Sequence, residues 1–599
     1  MRYSLWPRKA AITLVVIGFV SGATFLFAKD ISSPTTARPS PLTDAAQLVL
    51  EALQAEADGD TQRRAERLRD AVAADPDYAP AHWSNGEVRL GDRWLSIEAA
   101  TSEMRSAGEV AQYRQLRARM RNTATAHLQM AQWCADAGLK NQERVHLIYA
   151  AASLPTRTQA QTIIHKLGLV RHQRTLMPAA QAELLKQEAK KSESAIRQWR
   201  PGLTAIHRDL ASRDPARQAA GLAQLRAIRD ASAVGPLEIL FAKSNPATAK
   251  LVIQAIAEIP GQASTDALVR HAMFAEDEEA RQAAAVALKP RSLFSYVPML
   301  MSALESPVVV EYQSFFVGNQ FMHQLNMYQQ GPTLDHAFSS AGASSEHVSV
   351  TQHPISHAPS QISSTFTPDQ TANIDYLRAR NEMMANMRRE ETNQRIAAVL
   401  STATGTGLNA EPPELWSWWF DYNEMYQPPN KPLSQIYYNA VPAVPYTLQV
   451  TSISCFPAGT PVQTVTGPMA IEQIRAGECV LSQDPATGEL AYKPVLATTV
   501  RPSSPLIAIR TAHETIRATR GHPFWVSGVG WQMAKQLQAG QWLHSTSGPV
   551  QIESAVQQDQ AECFNLVVAD LNSYFVGEDQ ILVHDNNLPQ VTTATVPGL

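Results

Sequence analysis

The apolar residues of this chain change their spacing at Cys455. From Leu42 onward they recur mostly at helical intervals, in alanine-rich amphipathic segments, and after Cys455 they alternate. A helix buries one stripe and a half-buried strand buries every second residue, so the two stretches cannot share one kind of layer. At 599 residues the chain also exceeds what a single hydrophobic core organises. The expected fold is multidomain: an all-α solenoid followed by a C-terminal all-β domain. A net charge of -4 leaves no basic surplus for phosphates, so no nucleic-acid partner is expected.

The first 28 residues stand apart. Arg2, Arg8 and Lys9 precede AITLVVIGFVSGATFLFA, which carries no charge. A basic start followed by an apolar run is the pattern of a bacterial export signal. Residues 10–28 are also long enough to span a bilayer, so the segment is either cleaved or kept as an anchor in the cytoplasmic membrane. In both cases the body is expected outside the cytoplasm. The four cysteines, Cys134, Cys455, Cys479 and Cys563, form no disulfide framework and no paired metal motif. Neither a metal nor an organic cofactor is expected.

Residues 29–41 form a linker ending in PTTARPSP. Residues 42–200 read as two copies of a TPR-like helical hairpin, each followed by a small β-hairpin, the first turning at Gly91-Asp92. Within 201–307, Asp214-Pro215, Asn245-Pro246 and Asp277-Glu278 each open an alanine-rich helix at near-equal intervals. Asp and Asn suit an N-cap and proline the first helical position, so this stretch resembles HEAT-like repeats. Such a solenoid implies a protein partner, whose identity the sequence does not carry.

Residues 308–372, read as an irregular segment, open with the strand-like VVVEYQSFFVG and then become rich in Ser and His, which predicts an exposed loop. The spacing of His336, His347, His353 and His357 fits no helix face, so they are not read as a metal site. Residues 373–454 hold a helix expected to stop near Gly405, then Leu415, Trp418, Trp419 and Tyr422 on one helical face, read as core with a sugar- or membrane-binding platform as the alternative. A proline-rich extended lead then delivers Ser454 and Cys455.

Three blocks follow in order over residues 455–585: CFPAGTPVQTVTGPMAIEQIRAGECVLSQDPATGE, ATRGHPFWVSGVGWQMAKQLQAGQWL and CFNLVVADLNSYFVGEDQILVHD. Together they resemble the Hint domain, the Hedgehog/intein self-processing module, in its bacterial intein-like and polymorphic-toxin form. Thr519 and His522 match the family's T-x-x-H block. The resemblance implies that Cys455 attacks the carbonyl of Ser454, exchanging an amide for a thioester. It also implies that His522 moves the proton, while Thr519 donates its hydroxyl to the scissile amide or orients the ring.

A thiolate is the competent nucleophile and an imidazole can supply it, provided that Cys455 is unpaired. Hydrolysis would release everything before Cys455. Cys479 and Cys563 read as core, Asp484 as a turn residue and His513 as part of a hairpin turn.

The far end departs from the family. Splicing members place Asn after the penultimate His, whereas here His584 is followed by Asp585 and then Asn586. Either Asp585 fills the Asn slot and lacks the amide nitrogen, or Asn586 fills it one residue too far from His584. No Cys, Ser or Thr follows to accept an acyl chain, so full splicing is not expected. Residues 586–599 read as a tail carrying no toxin domain, unlike the polymorphic-toxin arrangement. Two readings of function stand: autoproteolysis at Ser454–Cys455, or a helical-repeat scaffold with a silent Hint module. A toxin remnant that lost its effector ranks third.

Overall fold

A computed structural model describes residues 44–153, 155–172, 175–318, 320–333, 335–344, 346–351, 361–366, 370–426, 433–435, 454–589, 592 and 594–599. The N-terminal apolar run, the linker, His353, His357 and most of the proline-rich lead lie outside the described residues. Among the described residues no helix is long and apolar enough to cross a membrane. The chain forms two compact units: 44–193 with 421–426 and 454–599, and 194–420 with 433–435.

In the second unit, Asp214, Asn245 and Asp277 cap the helices Pro215–Arg226, Pro246–Ala257 and Glu278–Ala287. Their side-chain oxygens accept the N–H groups of Ala216, Thr248 and Ala280 at 2.9, 2.9 and 2.8 Å. Each oxygen satisfies a donor that a helix start leaves orphaned. The helix Gln370–Thr404 ends at Gly405, whose φ of 75° suits glycine and whose N–H donates to the Ser401 carbonyl at 2.9 Å. On the helix Pro412–Tyr422, Leu415 and Trp419 are buried, Trp419 lying edge-on to Phe294.

The strand-like opening of residues 308–372 is a strand, Val308–Val317, and the expectation of a loop after it is corrected. Val308–Val317, Gln320–Gln329 and Asp335–Ser344 are strands of one sheet, and Glu346–Thr351 pairs with Gln361–Phe366. The register runs Val308↔Gln329 and Gln329↔His336, so His336 sits in the third strand and His347 in the fourth. The period of two is there but faint. Ser, Ala and Gly fill much of the third strand, leaving too little hydrophobic contrast to show it. Among the described residues no cluster of His, Cys, Asp or Glu could hold a metal ion.

In the first unit, Glu87–Leu90 pairs with Arg93–Ser96 and Leu169–His172 with Thr175–Pro178, a β-hairpin in each half of the helical region. These helices share a core with the β domain, where a separate solenoid was expected. Val88, Ile97 and Ala100 pack with Leu481, Leu490, Trp525, Phe575 and Leu582. The tail is part of this core as well. Val596 is fully buried among Val49, Leu53, Leu68 and Ala81, and the Gly528 N–H donates to the Thr595 carbonyl.

The β domain is one continuous antiparallel sheet. Its path runs Phe456–Pro457, Ser554–Val568, Leu490–Arg510, Cys479–Gln483, Pro461–Thr464, Ser573–Val576, Ile581–His584 and Pro523–Val526. Phe456, Val480, Ile509, Phe524, Leu566, Tyr574 and Val583 fill its centre. The long strands Leu490–Arg510 and Ser554–Val568 carry register shifts between Val495 and Ala497 and between Arg501 and Ser504. Such irregularities bend a strand and let it serve two parts of a curved sheet.

Glu56, fully buried where the helices meet this domain, is bonded to His544, to Arg64 at 2.7 Å and to the Ser527 hydroxyl at 3.1 Å. Burial alone would raise its pKa, but His544 and Arg64 outweigh it and hold the carboxyl at about 2. A depressed carboxylate stabilises the fold above its unfolded pKa, and that contribution is lost as pH falls through the folded value. Glu56→Gln is therefore expected to cost about 3 kcal/mol at neutral pH. In chemical unfolding at several pH values, the gap from the parent should shrink between about pH 4.5 and pH 2. A gap independent of pH would contradict this.

Candidate active site

Strand pairing places the cysteine. Phe456 faces Phe564 and Pro457 faces Cys563, so the strand led by Cys455 runs antiparallel to Ser554–Val568. Leu506 pairs with Thr519, which brings the end of the strand Thr515–Thr519 to the same point. Cys455 and Thr519 then exchange two bonds. The Cys455 N–H donates to Thr519 Oγ1 at 2.9 Å, and the Thr519 N–H donates to the Cys455 carbonyl at 2.9 Å. The first corrects an expectation: toward the scissile amide, the threonine oxygen accepts.

The other end of the same peptide is also held. Asn565 Nδ2 donates to the Ser454 carbonyl at 2.5 Å. Its own oxygen accepts from the Tyr574 hydroxyl at 2.6 Å and from the Leu566 N–H at 2.7 Å, which fixes the amide with its NH2 toward Ser454. Ser454, Cys455, Thr519 and Asn565 are all buried, and Cys455 is in no disulfide. The 454–455 peptide is thus gripped at its nitrogen by Thr519 and at its oxygen by Asn565. A donor on that oxygen is what a tetrahedral intermediate needs, because negative charge develops there.

His522 lies over the next residue, its ring 4.1 Å from that of Phe456. It is fully buried, and neither ring nitrogen has a hydrogen-bond partner among the described residues. Burial, with the neighbouring His584 adding to it, pushes its pKa well below the usual histidine value, so the ring is neutral with a nitrogen lone pair to offer. An unpartnered buried imidazole opposes stability, and such groups concentrate where chemistry is done.

His584 reaches the site because Phe524 pairs with Val583. Its Nδ1 approaches the Asp585 carbonyl at 3.2 Å, and its ring packs edge-on against Trp531. The fully buried Asp585 carboxylate accepts from the Val568 N–H at 2.8 Å and from the Asn587 backbone and side chain at 2.8 to 3.0 Å. Asn586 is buried next to it, with its N–H on the Leu566 carbonyl. Of the two candidate slots, His584 therefore touches the carbonyl of Asp585.

Cys563 and Cys479 are buried, and burial raises their thiols to about 11 and about 12. Asp484 closes its turn through Ala486 and Thr487, and His513 sits in the turn before Thr515 with Nδ1 on Asp579.

Asn565 and Tyr574 were not singled out in the sequence. The available signal was a polar Asn inside the apolar strand segment CFNLVV, a position where burial demands a partner.

The pretoxin HINT domain family matches residues 461–586. The chain is similar to the bacterial intein-like domain from Clostridium thermocellum, at 37% identity over 22% of this chain and 98% of that one, with a TM-score of 0.21. It is also similar to a DnaB intein from Synechocystis, at 19% identity over 22% of this chain and 98% of that one, with a TM-score of 0.20. No curated protein matches the chain. The weight rests on the family match, which falls on the domain whose site has just been described. The C-terminal domain of this chain belongs to the Hint family.

Proposed function

We propose that this Hint domain cleaves its own backbone between Ser454 and Cys455. His522 takes the proton of the Cys455 thiol. The sulfur attacks the Ser454 carbonyl carbon, and Asn565 stabilises the charge on its oxygen. The carbon–nitrogen bond then breaks and the proton passes to the Cys455 nitrogen, leaving a thioester between Ser454 and the Cys455 sulfur. A buried imidazole holds a proton poorly, which favours handing it on. Water adds to the thioester, giving a Ser454 carboxylate and restoring the thiol.

The observation that carries this reading is the two-ended grip on one buried peptide, with Thr519 at its nitrogen and Asn565 at its oxygen. Splicing is not part of the proposal. The residue whose carbonyl meets His584 is Asp585, which has no side-chain nitrogen and whose oxygens already accept three N–H groups. The protein is proposed to act outside the cytoplasm, on the charge pattern of residues 1–28, and to engage a protein partner through its helical repeats.

Full-length protein incubated with and without dithiothreitol tests the cleavage. The intact band is expected to give way to two pieces faster with thiol, because a thiolate attacks a thioester more readily than water does. A Cys455→Ala chain should stay whole. Equal loss in both chains, or none in either, would favour the scaffold reading.

A further inference from the structure

Cleavage at 454–455 was expected to part the chain, yet the residues on either side of the cut are joined elsewhere. Glu478, buried in the β domain, accepts Arg114 Nη2 at 2.7 Å and Arg117 Nη2 at 2.8 Å, both from the helix Gly108–Arg119. Arg114 also donates to Thr466 Oγ1 at 2.9 Å and Arg117 to the Ala476 carbonyl at 2.8 Å. The approach there is close: a Cβ on Gly477 would lie 1.9 Å from the Tyr113 hydroxyl. Arg144 pairs with Asp570 at 2.8 Å, and the Tyr149 hydroxyl donates to the Leu496 carbonyl at 3.0 Å.

At the other side of the same face, Glu56 is bonded to His544 and Ser527 of the β domain. The last residues reach back in turn, with Val596 fully buried against Val49, Leu53, Leu68 and Ala81. Glu478 finds both of its arginines on the opposite side, so separation would strand its buried carboxylate; Glu56 keeps Arg64 on its own side but would lose His544 and Ser527. The apolar clusters are likewise built from both sides.

We propose that self-cleavage leaves a two-piece protein: residues 44–152 hold residues 455–599 as a noncovalent partner. The cut would not release the Hint domain. It would leave the C-terminal end of the upstream piece without its covalent tie, while Cys455 becomes the first residue of its own piece. The biological sense of this rests on the cleavage proposed above, but the holding does not.

The test therefore removes self-cleavage. In a full-length Cys455→Ala chain, a site for a sequence-specific protease is inserted between residues 444 and 445, which lie outside the described residues. The cut protein is then diluted to about 1 μM and passed over a sizing column. Both pieces are expected to elute together, as a dissociation constant far below that concentration requires. In the same cut chain, Arg114→Ala with Arg117→Ala, or separately Val596→Glu, should weaken the association at least tenfold. Each variant is checked uncut for the parent's elution and melting, and Val596→Glu alters only the tail if the arginine pair fails that check. Parent pieces that separate, or folded variants that hold as tightly as the parent, would overturn the proposal. Failure here leaves the cleavage reading intact, and failure of the thiol experiment leaves this one intact.

Discussion

Asn565→Ala is expected to slow cleavage at 454–455 about 100- to 1000-fold, the usual loss when one oxyanion donor is removed. The reason is geometric. Asn565 Nδ2 is the donor on the carbonyl oxygen where charge will develop, and the Tyr574 hydroxyl holds the amide in that orientation. Because a preoriented donor stabilises the transition state more than the ground state, the loss should appear in the first-order rate of thioester formation, measured by thiol trapping. Asn565→Asp separates donor from shape: it keeps the volume but puts a carboxylate against the carbonyl, and it should be at least as slow. A rate within threefold of the parent for Asn565→Ala would mean that this hydrogen bond only holds the strand in place.

His522→Leu is expected to cost about 100- to 10,000-fold in rate, the range for losing a general acid–base group, while thermal stability stays the same or rises. The second half is the sharper. Both nitrogens of this fully buried ring lack partners among the described residues, a condition that costs about 1–3 kcal/mol. Leucine is close in size and leaves no polar group unsatisfied among Phe456 and Phe524. A histidine kept for structure would show the reverse, a lower melting temperature with little change in rate. Parallel melting curves and cleavage time courses decide between them.

Much of this was legible in the sequence because it rests on local signals. The helix starts at Asp214, Asn245 and Asp277 need only a short polar side chain and the N–H groups of the following turn. Within the Hint blocks, Cys455 and Thr519 meet through a short strand, a long strand and its hairpin partner, and His522 lies over Phe456. What was hidden depends on pairing across distance. Asn565 could not be tied to Ser454 without the register that sets Phe456 against Phe564.

The strand Asp335–Ser344 escaped because alanine, serine and glycine give alternation no amplitude. The union of the first helices with the β domain escaped for another reason. The carboxylates of Glu56 and Glu478 look like ordinary surface charges until His544 and the pair Arg114 and Arg117 are brought onto them. A helical face that buries against a sheet has the same amphipathic pattern as one that buries against another helix.

Alkaline-free hydroxylamine offers the most direct reading of the proposed linkage, since at neutral pH it attacks thioesters and spares amides. Intact-mass measurement of the treated full-length protein should find one piece ending in a hydroxamate at Ser454 and another beginning with an unmodified Cys455. Protein that keeps its full mass under these conditions, or that breaks at any other bond, would contradict the amide-to-thioester exchange.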